Sequence, residues 1–242
     1  MLKTTHGDFS LLLWKQNRNN TNILQPIGDT TYDAFIKHLI RDFFEDLKKS
    51  FETGNKYSFC KEWQKVSEKH WKIMHNKCIS FFKVETKDTI DKVVSKIKGN
   101  IGEIFAELFF TNCGGTKWIS PNTYEPVDPT NERFIDAFAY DPLEKVKCGI
   151  QIKNYSGEIP SQVFWKAGVE DNLAFRELSS DLRDFYLKRK RQYIFSFTDE
   201  KFSPNMEAYK TYVEIIGPKI IDNELSSNEF RLDLLEKLLN EF

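Results

Sequence analysis

Apolar positions along the 242-residue chain recur first with the period of a helix and later with that of a strand. Phe35, Ile36, Leu39, Ile40, Phe43, Phe44 and Leu47 keep helical spacing and predict an amphipathic helix over 31–52. Thr30 and Asp33 stand where a cap belongs, and Gly54-Asn55 closes the run. A weaker pattern over 60–82 turns Trp63, Val66, Met74 and Cys78 inward. A third stripe, Ile90, Val93, Val94, Ile97, Ile101, Ile104, Phe105 and Leu108, predicts helix over 88–112, and Gly99-Asn100 is expected to interrupt it, even to split it in two. From 116 onward the period is closer to alternation. Strands are expected over 133–141 and 145–155, joined by the turn Asp141-Pro142-Leu143-Glu144. A charge-rich helix over 171–190, strands over 192–198 and 212–221, and an amphipathic helix over 228–242 complete the order. Ahead of them all, 9–14 reads as a short strand or turn, and 15–22 as a polar loop. This order predicts an α/β or α+β core, a sheet flanked by helices, over 88–242, with an N-terminal helical extension over 1–87 for recognition or partner docking.

Composition narrows the class. Hydrophobic residues make up 40% and charged residues 29%, which excludes a wholly disordered or fibrous chain. The net charge of −1 gives no global positive field, yet residues 48–98 carry thirteen Lys/Arg against six Asp/Glu. That run reads either as a solvated helix surface or as a basic face. Cys60, Cys78, Cys113 and Cys148 are scattered and form no zinc pattern or disulfide framework, and His70 and His75, five apart, miss the i,i+4 spacing of a metal pair. No apolar run approaches the length of about 18 residues that spans a bilayer, and the N-terminus lacks signal-peptide architecture, so a soluble cytoplasmic protein is expected.

The residues that carry chemistry sit on the two expected strands. A turn built on Pro142-Leu143 pairs 141 with 144, sets Asp136 opposite Gly149, and leaves Gln151 as its diagonal neighbour on one face. Alternation puts Lys147, Gly149, Gln151 and Lys153 on that face, with Cys148, Ile150 and Ile152 on the other. A four-residue loop keeps Asp136 on the same face as Gln151, and an odd-length loop reverses it. A carboxylate, an amide oxygen and the Ile152 main-chain carbonyl form a donor set for a hard cation such as Mg2+. Lys153 then stands where it can act on the attacking water or stabilise charge on the phosphorus centre.

Asp136, fourteen intervening residues, and Gln151-Ile152-Lys153 within IQIKNY resemble the PD-(D/E)XK nuclease motif in its QxK form. The upstream segment KGNIGEIFAELFF is similar to the first core helix of that family, often G-x-x-G-E-x-x-A, with Gly99, Gly102, Glu103 and Ala106 at those positions. The resemblance covers about residues 95–200; Ile135 replaces the motif's proline and Gln151 its usual acid, removing one negative charge. It implies a restriction-endonuclease-like core with a central mixed sheet. Asp136, Gln151, Lys153 and Glu103 form its catalytic set, and the metal ligands are Asp136, Glu103, Gln151 and Ile152. Glu107, one turn beyond Glu103, competes for the accessory position but lacks the glycine context.

The implied cofactor is Mg2+, with Mn2+ as a substitute, and the implied partner is nucleic acid, most of all double-stranded DNA. The implied function is a DNA endonuclease of restriction or phage defense. Two alternatives stand beside it. One is a transposon- or repair-type subunit acting with an ATPase or helicase; the other is a nuclease-like assembly module that does not cut. A homodimer is also left open. Lys188, Arg189, Lys190 and Arg191 suit either the dipole of a helix end or contact with phosphate, and Lys166 beside Trp165 is a candidate for a nucleic-acid groove. Trp63, Trp71, Phe81 and Phe82 suit a core or the stacking of bases.

Overall fold

The computed structural model describes residues 32–54, 57–82, 87–113, 124–126, 136–141, 146–154, 192–198 and 213–242. The protein is a mixed α+β chain with two compact units, a helical one of residues 1–108 with 221–242 and a sheet-bearing one of residues 109–220.

The helical unit begins with α1 (Tyr32–Glu52), α2 (Phe59–Phe81) and α3 (Lys87–Cys113), the last running on into the sheet unit. Every apolar position of the α1 stripe is buried, as are Trp63, Val66, Met74 and Cys78 of α2, in agreement with the 3.6-residue period. Gly54, just past α1, takes φ of 152°, a value side chains rarely adopt. Ser58 caps α2 by accepting the Lys61 N–H at 3.0 Å, and Asp222 accepts the Cys60 N–H at 2.9 Å, so two orphan donors of the first turn are satisfied.

Aromatic rings fill the interior. Trp63 stands with ring centroids 5.0 Å from Phe43, 6.0 Å from Phe59 and 5.1 Å from Phe105, tying α1, α2 and α3 together. Polar pairs then register α2 on α1. Lys77 reaches Asp42 at 2.6 Å, and Asp46 accepts from Lys69 and meets the buried His70 ring, each at 2.9 Å. Burial alone raises the Asp46 pKa, but the bonds from Lys69 and His70 outweigh it and hold the carboxyl below its usual range.

The expected break at Gly99-Asn100 is absent, and α3 is continuous across it. Helical glycine costs about 1 kcal/mol relative to alanine. Ile97, Ile101 and Ile104 are all buried within that same stretch, and each contributes roughly 1.5–3 kcal/mol, so packing decides the conformation. A Cβ built on Gly99 meets only the Glu103 carboxylate, at an ordinary 3.8 Å. Gly99→Ala is therefore expected to raise unfolding stability by about 0.5–1 kcal/mol in a urea titration. A loss would mean that the glycine serves a close approach.

The chain ends in α4 (Pro218–Glu224) and α5 (Asn228–Leu239). The expected strand over 212–221 is thus corrected: it stops at Ile216, and Pro218 opens a helix. Proline has no N–H for a ladder, but its fixed φ suits the first helical position. The expected grouping of the C-terminal helix with the sheet also differs from its packing. In α5, Glu236 pairs with Lys48 of α1, and Asn228 donates to the Phe51 carbonyl at 3.2 Å. Arg231, only 1% exposed, lies with its guanidinium 5.2 Å from the Phe51 ring centroid and donates to the Leu225 carbonyl. Burial holds its pKa below the ordinary arginine value.

In the sheet unit, β2 (Ala137–Asp141), β3 (Val146–Lys153), β4 (Gln192–Ser196) and β5 (Val213–Ile216) form a mixed sheet, to which the two-residue β1 (Glu125–Pro126) adds an edge. Spatial order follows chain order; β1, β2 and β3 pair antiparallel, while β3, β4 and β5 pair parallel. One face carries Ala137, Ala139, Ile150, Ile152, Tyr193, Phe195 and Ile216, all buried. Phe109 and Phe110 at the end of α3 cover it, 5.1 and 5.2 Å from the Phe195 ring centroid. The expected elements over 1–28 and 171–190 lie outside the described residues.

Candidate metal and phosphodiester site

The site begins with the β2–β3 hairpin. Asp141 pairs with Val146 and Ala137 with Ile150, so four residues, 142–145, lie between the strands rather than two. The expected pairing of Asp136 with Gly149 is corrected by two positions: Phe138 is the partner of Gly149. An even shift leaves the faces unchanged, so the parity on which the site depends survives.

The strand start departs from a regular ladder in a second way. The Asp136 N–H donates to the Ile150 carbonyl at 2.8 Å, although the register partner of Ile150 is Ala137. Two residues of one strand thus face one residue of the other, the arrangement of a β-bulge, which re-aims a side chain. The Asp136 carboxylate accepts from the Gln151 amide nitrogen at 3.3 Å on Oδ1 and 3.2 Å on Oδ2, and its Oδ2 also accepts the Ile152 N–H. The expected 7–8 Å diagonal is replaced by direct hydrogen bonding.

Both side chains are out of water, Asp136 at 9% and Gln151 at 5% exposure. The carboxylate has N–H donors, but the Gln151 Oε1 is buried with no hydrogen-bond partner among the described residues. An unpaired buried carbonyl oxygen costs roughly 1–3 kcal/mol, so this atom stands in need of a donor or a cation. Lys153, two residues on, shares the Gln151 side of β3 and is half-buried. Ser196 of β4 is the register partner of Lys153, and Ile194 that of Gln151, so both extend the same face. The Ile152 N–H points to the Asp136 edge of β3. Its carbonyl shares that edge, since a strand residue turns both main-chain groups toward one neighbour.

Asp136, Gln151, Ile152 and Lys153 are therefore brought together. Glu103 lies on α3 within the helical unit, half-buried, while Glu107 one turn on is buried. The end of α3 meets the sheet through Phe109 and Phe110 on the face opposite Gln151. Lys166 and the run 188–191 lie outside the described residues. Among the described residues, no group of three His, Cys, Asp or Glu side chains is placed to hold a metal ion. Among the described residues of the sheet unit, a cation here would meet one carboxylate with neutral oxygens.

Trp63, Phe81 and Phe82 are buried. Trp71 is stacked on Phe43 at 5.5 Å between ring centroids and covered by the Lys98 ammonium at 5.0 Å. These rings serve the core. The bulge and the orphaned amide oxygen are features that sequence reasoning misses, because both depend on backbone geometry. No helix among the described residues is long and apolar enough to cross a membrane. Set against protein-family models, curated proteins and solved structures, the chain matches none.

Proposed function

We propose that the chain is a Mg2+-dependent nuclease of the restriction-endonuclease-like class, with its reacting centre at Asp136, Gln151 and Lys153. The observation that carries the reading is the buried Gln151 Oε1, unpartnered beside the only carboxylate described on that face. The order of elements supports it: a helix, an antiparallel hairpin bearing Asp136 and the QxK segment, then a parallel neighbour strand.

The donors fit the ion. Mg2+ takes oxygen ligands, keeps several waters, and is commonly held by one or two carboxylates together with substrate phosphate. Asp136 would hold it through its carboxylate, Gln151 through its amide oxygen and Ile152 through its carbonyl. The ion supplies Lewis-acid stabilisation of the phosphate and a more acidic attacking water. Lys153 places an ammonium where charge builds on the scissile phosphate. Double-stranded DNA is the proposed substrate, and restriction or phage defense the proposed setting, with DNA processing beside an ATPase or helicase as the variant.

A second reading, an assembly module that does not cut, draws on one observation. Gln151 turns its amide nitrogen, not its oxygen, toward Asp136, so the carboxylate has its donors without a cation. Metal coordination by both side chains requires that amide to turn over.

The test is incubation of the purified chain with supercoiled plasmid, single-stranded DNA and RNA, in Mg2+, in Mn2+ and in EDTA. The reading expects metal-dependent cutting, strongest on duplex DNA. Cutting in EDTA would refute it, and saturable Mg2+ binding without cutting of any substrate would favour the assembly module.

A further inference from the structure

We propose that the outward ridge of α2, Lys61, Lys65 and Lys72, joined by Lys92 of α3, is a docking surface for the phosphate backbone of duplex nucleic acid. The lysines of α2 fall into two populations. Lysines turned toward α1 are neutralised there, Lys77 by Asp42 and Lys69 by Asp46. Those turned outward are not. Lys61, Lys65, Lys72 and Lys92 are exposed. Among the described residues Lys61, Lys72 and Lys92 form no ion pair, and Lys65 has only a loose 3.9 Å contact with Glu62 of its own helix.

The geometry suits a polyanion. Positions 61, 65 and 72 follow one side of the helix over about 16 Å, which matches roughly five phosphates of one strand at 3.4 Å each. Glu68 is the single exposed acid on that side of α2. Asp91, beside Lys92, is engaged by the His75 ring at 3.1 Å, and this contact sets the start of α3 alongside α2.

Other partners fit less well. The apolar side of α2 is buried within the unit, so no amphipathic face is left for a lipid surface. Protein interfaces centre on aromatic and apolar anchors and are depleted of lysine. Within α2 Trp63 is buried, and Trp71 is engaged by Phe43 and by the Lys98 ammonium. The lysines themselves contact backbone phosphates, which makes that contact independent of sequence. That the bound duplex is also the substrate rests on the nuclease reading; the binding itself does not.

The experiment is fluorescence anisotropy of the full chain with a labelled duplex of about 30 base pairs, in EDTA, across roughly 50 to 300 mM KCl. The triple variant Lys61→Ala, Lys65→Ala, Lys72→Ala is compared with the parent. A control triple, Arg41→Ala, Lys219→Ala, Lys237→Ala, removes three positive charges elsewhere. The expected result is an affinity loss of about tenfold or more for the ridge triple at low salt, with a log–log salt slope shallower by up to about 2.7. The control triple and a Lys→Arg triple on the ridge stay near the parent, and the latter keeps the test valid if the alanine triple folds poorly. Parental binding by the ridge alanine triple, equal loss in the control triple, or no duplex binding by the parent would overturn the proposal. The two readings fail separately: ridge-dependent binding without cutting removes the nuclease and leaves the ridge. Cutting with a ridge triple that binds like the parent does the reverse.

Discussion

Lys153→Ala is expected to lower metal-dependent cleavage by about 10²- to 10⁴-fold while leaving the fold intact. The side chain is half-buried at the end of β3, and no described residue pairs with it, so its removal breaks no ion pair and opens no core cavity. What disappears is a positive charge beside the position proposed for the phosphate. Asp136→Asn is expected to match or exceed this loss, by a different route. The substitution keeps volume but removes the only negative charge among the described residues of that face, and with it the charged ligand proposed for the cation. It also replaces an acceptor of the Ile152 and Gln151 N–H groups by an amide that satisfies only part of them. Single-turnover cleavage of plasmid, with circular dichroism to follow the fold, checks both. Cutting that survives both substitutions would move the chemistry elsewhere.

The largest expected effect on stability lies in the helical unit. Trp63→Ala should cost about 3–5 kcal/mol, because the indole is almost wholly buried among Phe43, Phe44, Phe59 and Phe105 and its loss leaves a cavity those rings cannot close. Trp63→Phe should cost clearly less, since an aromatic ring keeps most of the packing. Chemical denaturation gives both values; a loss under about 1 kcal/mol for the alanine variant would show that the site collapses or stays wet.

Several elements are legible in the sequence because their cause is local. The stripe from Phe35 to Leu47 allows no period other than that of a helix, and the α2 positions expected to be inward are buried. The face shared by Gln151 and Lys153 is legible too, since alternation along a strand is geometric. What departs from expectation depends on context. The hairpin pairs two positions away because Asp141-Pro142 marks a turn without fixing its length. Gly99-Asn100 does not break α3 because buried isoleucines on either side outweigh a glycine's cost. Pro218 falls within a run that reads as strand by its apolar residues, although a proline that cannot donate to a ladder is a better helix start. The packing of α5 on α1 joins residues as far apart as Lys48 and Glu236, which no local pattern encodes. At the site, the sequence supplies the residue types, whereas the bulge at Asp136 and the orphaned Gln151 oxygen arise only from backbone pairing.

Those two features turn the proposal into a statement about one amide. If Gln151 is a ligand, it binds weakly, since it brings no charge and must first give up its bonds to Asp136. Gln151→Glu should then strengthen Mg2+ binding by about tenfold or more, and should destabilise the metal-free protein by setting two carboxylates within about 3–4 Å of each other. Calorimetric titration of Mg2+ into the parent, Gln151→Glu and Asp136→Asn tests the central claim most directly. The account predicts weak saturable binding by the parent, tighter binding by Gln151→Glu, and none by Asp136→Asn. No saturable binding by either the parent or Gln151→Glu, or binding unchanged in Asp136→Asn, would contradict it.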